Sequence, residues 1–115
     1  MAGAVVILSS DAEDGLRRLD RADHKRMIRR LKNLEDDPPP ENLDIESMSG
    51  CPPWMRLRSG DHRAVYRPLT SHELAERSLA RAYFVGMVIN RKDLDAAAKK
   101  LKSNPPKLKT PSKKP

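Results

Sequence analysis

The stretch that decides the fold reads Trp54-Met55-Arg56-Leu57-Arg58-Ser59-Gly60-Asp61-His62-Arg63-Ala64-Val65-Tyr66-Arg67. Residues 54–58 alternate with the period of two that a half-buried strand requires. Ser59-Gly60-Asp61 is a turn signal, and Arg63 to Arg67 is a second strand, ended by Pro68. Two such runs around a glycine-containing turn predict a β-hairpin. The same period places Arg56 and Arg58 on one face of the first strand, with Met55 and Leu57 on the other.

Upstream, Ala4-Val5-Val6-Ile7-Leu8 lacks polar alternation and predicts a short strand covered on both faces. Ser10-Asp11-Ala12-Glu13 has the form of a capping box and predicts a helix start at Ser10. Ala12, Leu16 and Leu19 follow at helical spacing, although Gly15 weakens that helix by about 1 kcal/mol relative to Ala. Asp20 to Asp23 predicts a turn capping a second helix. In it Met27, Ile28, Leu31 and Leu34 form an apolar stripe, and Lys25, Arg26, Arg29, Arg30 and Lys32 form a basic face. Pro38-Pro39-Pro40 stops it, because proline has no N–H and biases its predecessor away from helix. A long acidic loop is expected from there to Pro52-Pro53.

Downstream, Ser71 to Arg77 predicts a short helical turn, Ala80 to Ile89 a strand, and Arg91 to Lys102 a last helix. The order β, α, α, β, β, β, α predicts an α+β fold: an N-terminal strand and helical hairpin on a small, mainly antiparallel sheet, with a C-terminal helix. The aromatics Trp54, Tyr66, Tyr83 and Phe84 all lie between residues 54 and 84, so the stiffest part of the core is expected there.

The 115 residues allow one domain, expected over 1–102. The net charge of +7 belongs to the end of the chain: seven lysines and no acid follow from Lys99, leaving 16 basic and 16 acidic residues in 1–98. The tail, residues 103–115, is rich in proline and lysine and cannot offset its ordering entropy by burial, which predicts disorder. It either holds nucleic acid loosely through phosphates or keeps the protein soluble. Charge is uneven in the body as well: residues 33–55 carry six acids and no Lys or Arg. Cys51 is the only cysteine, so no internal disulfide forms, which fits a reducing cytosol. No apolar run approaches the ~18–20 residues of a membrane span, and residues 1–9 do not read as a signal peptide. No metal-ligand spacing or nucleotide-binding glycine loop is present, and no cofactor is expected.

The segment Arg56 to Tyr66 resembles the RelE/ParE pattern R-x-R-x-G-x-Y-R-[VL]-[VIL]-Y. Val85-Gly86 followed by Asn90-Arg91-Lys92-Asp93 is similar to that family's closing strand and its H-R-K-D end. The resemblance spans about residues 4–98. It implies the toxin of a type II toxin–antitoxin system in a bacterial cytoplasm. RelE-like members cleave mRNA, usually on the ribosome; ParE-like members poison DNA gyrase; an antitoxin wraps over either. Arg56, Arg58, Arg63 and Arg91 match positions where RelE-like nucleases place basic residues around the scissile phosphate. Trp54 stands where some members have lysine, His62 where tyrosine is usual, Asn90 where histidine is common, and Asp95 near a C-terminal tyrosine.

Metal-free RNA cleavage needs a base for the ribose 2′-OH, cations on the phosphate and an acid for the leaving 5′-oxygen. Arginine suits the second task, since its planar fork matches phosphate oxygens and stays charged. Arg56, Arg58, Arg63 and Arg91 are expected to converge. His62 is the candidate base or acid, because an imidazole titrates near neutral pH. His24 reads as an edge-of-core residue and His72 as a loop residue. Arg26, Arg29, Arg30 and Lys92 are candidate RNA contacts. The open alternatives are an endoribonuclease, a ParE-like gyrase inhibitor, and a degenerate toxin that only binds its antitoxin.

Overall fold

The computed structural model describes residues 4–36 and 40–108. Strand β1 (Val5–Leu8) leads into helices α1 (Ser10–Arg17) and α2 (Arg21–Asn33). Strands β2 (Ile45–Ser47), β3 (Met55–Ser59) and β4 (His62–Pro68) follow, then α3 (Ser71–Glu76), β5 (Ala82–Asn90), a 3₁₀ turn (Arg91–Asp93) and α4 (Leu94–Ser103). The strands form one sheet in the order β1-β5-β4-β3-β2. Only β1 runs parallel to its neighbour; the other pairs are antiparallel. The α+β architecture predicted from the sequence is the observed one.

The β3–β4 hairpin closes through Gly60 and Asp61, with Ser59 paired to His62. Gly60 has φ +61 and Asp61 does not enter the left-handed region. This is the two-residue turn with glycine first, whose twist matches that of the strands it joins. The period-two prediction holds: Leu57 is buried under the helical hairpin while Arg56 and Arg58 point the other way.

The sheet separates two cores. On one face Ala12, Leu16, Met27, Leu31 and Leu34 of the hairpin meet Leu57, Ala64, Tyr66, Val85 and Val88. On the other, Trp54, Val65, Phe84 and Met87 meet Ala97 and Leu101 of α4. The aromatics divide between them: Trp54 tilts against Phe84 at 6.2 Å, and Tyr66 meets Tyr83 edge-on at 5.7 Å. In β1, Val6 and Leu8 join the first core and Ile7 the second, while Val5, at the exposed start of this edge strand, is left 40% exposed.

The helix starts show where local signals mislead. The N-cap of α1 is Ser9, one residue before the predicted Ser10. Ser9 Oγ accepts from the Ala12 N–H at 2.9 Å and donates to the Gly86 carbonyl at 2.7 Å, whereas Ser10 is exposed. The hydroxyl that ties helix to sheet wins the cap. Asp20 caps α2 as predicted, accepting from Asp23 N–H. The glycine that weakens α1 also has a tertiary reason: a Cβ on Gly15 would lie 2.2 Å from the Val88 carbonyl oxygen. The helix rests directly on β5 only because that atom is missing.

Three further boundaries differ from expectation. The acidic loop contains a strand, β2, because Ile45 packs beside Leu57 in the first core. Strand β5 starts at Ala82 and ends at Asn90, and Arg91–Asp93 is a 3₁₀ turn before the helix proper. Helix α4 runs one residue past the expected Lys102, to Ser103, and beyond it Pro106 lies over Gly86 and Leu108 packs on the second core. Residues 109–115 of the tail, with Pro38 and Pro39 of the predicted helix stop, lie outside the described residues.

Candidate nucleic-acid interface

Strands β3 and β4 place their arginines by register. Arg58 is directly opposite Arg63, and Arg56 is opposite Val65, so all three arginines lie on the face away from the helical hairpin. Like charges directly opposed on a ladder are destabilising, and acids answer this pair. Glu46 on β2 is the direct cross-strand partner of Arg56 and hydrogen-bonds it. Asp44 accepts the Arg58 backbone N–H at 2.9 Å, and its carboxylate lies 3.7 Å from that guanidinium. Asp44, Glu46, Arg56, Arg58, Arg63 and Leu94 line one small cleft of about 100 Å³.

The electrostatics follow from this proximity. Arg63 is held below the ordinary arginine pKa, first by burial and then by the charges of Arg58, Arg56 and Arg91. Glu46 is held below the usual carboxylate range, first by the hydrogen bond from Arg56, then by that arginine's charge and, more weakly, those of Arg63 and Arg58. Arg63 Nη1 donates to the carbonyls of Gly60 and His62 at 3.1 and 3.0 Å, which fixes it against the turn. Arg91 stands at the rim: its backbone N–H donates to the Asp61 carbonyl at 2.8 Å, and its side chain is two-thirds exposed. The expected convergence of Arg56, Arg58 and Arg63 is therefore present, with Arg91 beside them.

His62 is not among them. It alternates with Arg63 along β4, so its ring points to the hairpin side, with Nδ1 3.9 Å from Asp23 of α2. Among the described residues none of the other candidate proton carriers lines the cleft. His24 bonds the Leu16 carbonyl at 2.9 Å, and His72 pairs with Glu76 on α3. Tyr66 is in the first core, its phenol pushed up to about 12 by burial and, less, by Tyr83.

The remaining candidates are dispersed. Arg26 reaches the turn, its Nη1 3.0 Å from where a Cβ of Gly60 would stand, and pairs with Asp23. Arg29 is exposed and Arg30 half-buried on α2, which covers the opposite face of the sheet. Lys92 is exposed in the 3₁₀ turn, whose N–H is accepted by Asn90 Oδ1 at 3.1 Å. Trp54 is buried in the second core and supplies no cation where some members of the resembled family have lysine. The nearby Arg67 is committed elsewhere: its guanidinium carbon lies 5.7 Å from the Trp54 ring centre and 5.3 Å from that of Phe84. It donates both Nη groups to Glu73, at 2.8 and 3.0 Å.

Asp44 and Glu46 are the site residues that sequence reasoning missed. The signal was there: Asp44-Ile45-Glu46 is the charge complement of Arg56-Leu57-Arg58 in an antiparallel register. Three residues with two acids carry too little β-propensity to announce a strand.

No family model matches the chain, and no curated protein matches it significantly in sequence. Solved structures do match in fold. A chain of the RelB–RelE antitoxin–toxin complex from Methanococcus jannaschii superposes with a TM-score of 0.57 at 14% identity, covering 78% of this chain and 95% of that one. A chain of the archaeal RelE–RelB complex from Pyrococcus horikoshii OT3 gives 0.58 at 21% identity, covering 77% and 96%. The fold is RelE-like. Among the described residues no helix is long and apolar enough to cross a membrane.

Proposed function

We propose that this chain is the toxin of a type II toxin–antitoxin pair, acting in the cytoplasm as a metal-independent endoribonuclease that cleaves mRNA on the ribosome and so arrests translation. The observation that carries this reading is the cleft in which Arg56, Arg58 and Arg63 meet on a RelE-like sheet, with Arg91 at the rim. In such a cleavage the ribose 2′-oxygen attacks phosphorus and the 5′-oxygen leaves. Negative charge grows on the non-bridging oxygens between those events. Guanidinium groups fixed beforehand stabilise that charge without reorganising, and one such donor is worth several kcal/mol. Lys92 and Arg26 on the flanks would extend the phosphate track by long-range attraction, while Arg29 and Arg30 stand on α2, over the opposite face of the sheet.

An antitoxin is the partner this reading calls for, since both structural neighbours come from toxin–antitoxin complexes. Between β1 and α2, a groove of Val6, Leu8, Ile28 and Leu31 flanked by Lys32 and Glu35 suits the apolar side chains of such a peptide. Acidic side chains of the partner would suit the arginine face.

One observation favours a second reading, a toxin that arrests growth without cutting RNA. No histidine or tyrosine lines the cleft among the described residues, and of the two carboxylates that do, Glu46 is held below the usual carboxylate range by Arg56, which makes it a weak base. The deciding experiment is induced expression of wild type and of Arg63→Ala/Arg91→Ala, with mRNA 5′ ends mapped in both. New 5′ ends with wild type alone are the expected result. Arrest without new ends points to gyrase or another target, and no arrest from a folded protein points to a degenerate toxin.

A further inference from the structure

The arginine cleft is lined by this chain's own carboxylates as well as its arginines. We propose that β2 is an intramolecular phosphate mimic: Glu46 and Asp44 hold the arginine pair Arg56 and Arg58 in the free protein, and a phosphodiester backbone must displace them to bind. This inference deepens the RNA reading above and rests on it for the identity of the ligand.

Four observations carry it. First, the match is set by register: Glu46 is the cross-strand partner of Arg56, and the carboxylate of Asp44, just before β2, lies 3.7 Å from the Arg58 guanidinium, so two acids spaced by two residues meet two arginines spaced by two. Second, a carboxylate and a phosphate use the same guanidinium fork. Glu46 Oε1 already accepts from Arg56 Nη2, and a phosphate oxygen could not take the same position while it stays. Third, the mimic is built to yield. The Glu46 and Asp44 side chains are 60% and 50% exposed, so each can rotate into solvent without opening the core. Exposed ion pairs of this kind are weak. Fourth, Ile45 is anchored in the first core between them, so the strand stays paired to β3 while its acids turn away.

The consequence is a threshold for ligands. A single phosphate gains little by replacing one carboxylate on one arginine. A strand that brings several phosphates displaces both acids and also reaches Arg63, which donates to the Gly60 and His62 carbonyls, and Arg91, whose Nε stands 4.0 Å from the Asp61 carboxylate at the exposed rim. The cleft should therefore discriminate against mononucleotides and free phosphate in favour of polynucleotide.

The test uses the full chain and three variants: Glu46→Gln, Glu41→Gln and Arg63→Ala. Glu41 lies outside the cleft lining and changes the net charge by the same amount. Binding of a short fluorescein-labelled single-stranded RNA is read by fluorescence anisotropy, and binding of inorganic pyrophosphate by calorimetry. Glu46→Gln is expected to tighten both by roughly two- to five-fold, the size of one exposed pair, with a larger proportional gain for pyrophosphate, while Glu41→Gln leaves both unchanged. Equal gains in Glu46→Gln and Glu41→Gln would reduce the effect to net charge and overturn the mimic. Weaker binding in Glu46→Gln would also overturn it and make Glu46 a support for Arg56. If Arg63→Ala loses RNA and Glu46→Gln changes neither ligand, the RNA reading stands and the mimic falls. If pyrophosphate follows the expected order and no variant binds RNA, the mimic stands and the RNA reading falls.

Discussion

The two faces of the sheet are closed in different ways. The face under α1 and α2 is sealed by side chains of the helical hairpin and by a direct helix-to-strand approach at Gly15. The face under α4 is covered piecemeal, by one helix, the loop before β3, the short α3 and the start of the tail. On that second face the arginines of β3 and β4 line a small polar cleft, whereas the groove left on the first face, between β1 and α2, is apolar. Both faces carry a buried core, and the opposed arginines stand at the margin of the second, where acids lie beside them. Real proteins place their local conflicts at functional sites and offset them elsewhere.

The sharpest way to break this comparison is at the sealed face. Gly15→Ala gains about 1 kcal/mol of helix propensity but drives a Cβ to 2.2 Å from a backbone oxygen that cannot yield as a side chain can. A net loss of about 2–3 kcal/mol is expected, read as a lower urea midpoint with an unchanged m-value. Stability equal to wild type would mean that α1 does not rest on β5 as described.

The open face should respond in activity instead. On the nuclease proposal, Arg63→Ala is expected to lower RNA cleavage about 10²-fold, the scale for one fixed donor to a developing oxyanion, while its melting temperature stays near wild type. Removing one of two opposed arginines even relieves a repulsion worth a few tenths of a kcal/mol. A large loss of stability would place Arg63 with the scaffold.

Between the two lies Glu73, which ties α3 to the Arg67 clamp on the open face. Its carboxyl is pulled down to about 2, first by the hydrogen bond from Arg67, opposed next by burial, and then by the Thr70 backbone N–H. A depressed carboxylate stabilises the fold above its unfolded pKa of 4.5 and loses that contribution as pH falls from there through about 2. The pair is near the surface, so about 1–2 kcal/mol is expected after screening. Glu73→Gln should remove that part of the acid sensitivity between those values and leave the neutral-pH cleavage rate alone. An acid transition identical to wild type would count against the clamp.

Smaller effects sharpen the picture. Ser9→Ala removes both the α1 cap and the tie to Gly86 and should cost about 1 kcal/mol in a denaturant titration. The smallest expected effect is on chemistry at His62: because its ring sits on the sealed side, His62→Ala should leave the cleavage rate unchanged. A strongly reduced rate with an intact fold would return it to the mechanism.

Sequence legibility followed the physical range of each signal. The β3–β4 hairpin, the amphipathic stripe of α2, the Asp20 cap and the split of Arg56 and Arg58 from Leu57 are local, set by side-chain period and turn chemistry within a few residues, and all are observed. Strand β2 was hidden because its partner is ten residues away and its own residues favour no strand. The exclusion of His62 was hidden for a related reason. Its one-residue offset from Arg63 fixes opposite faces, but which face carries the site depends on where the helices pack.

The α+β order, the hairpin and the set of cations available could be read along the chain, because hydrophobic period and backbone propensity act locally. Only the tertiary structure decided that Ser9 rather than Ser10 caps α1, that Gly15 is a point of contact, that Trp54 is core, and that Asp44 and Glu46 stand against Arg58 and Arg56. Those outcomes depend on which distant backbone arrives alongside, and that is settled by burying two apolar faces at once.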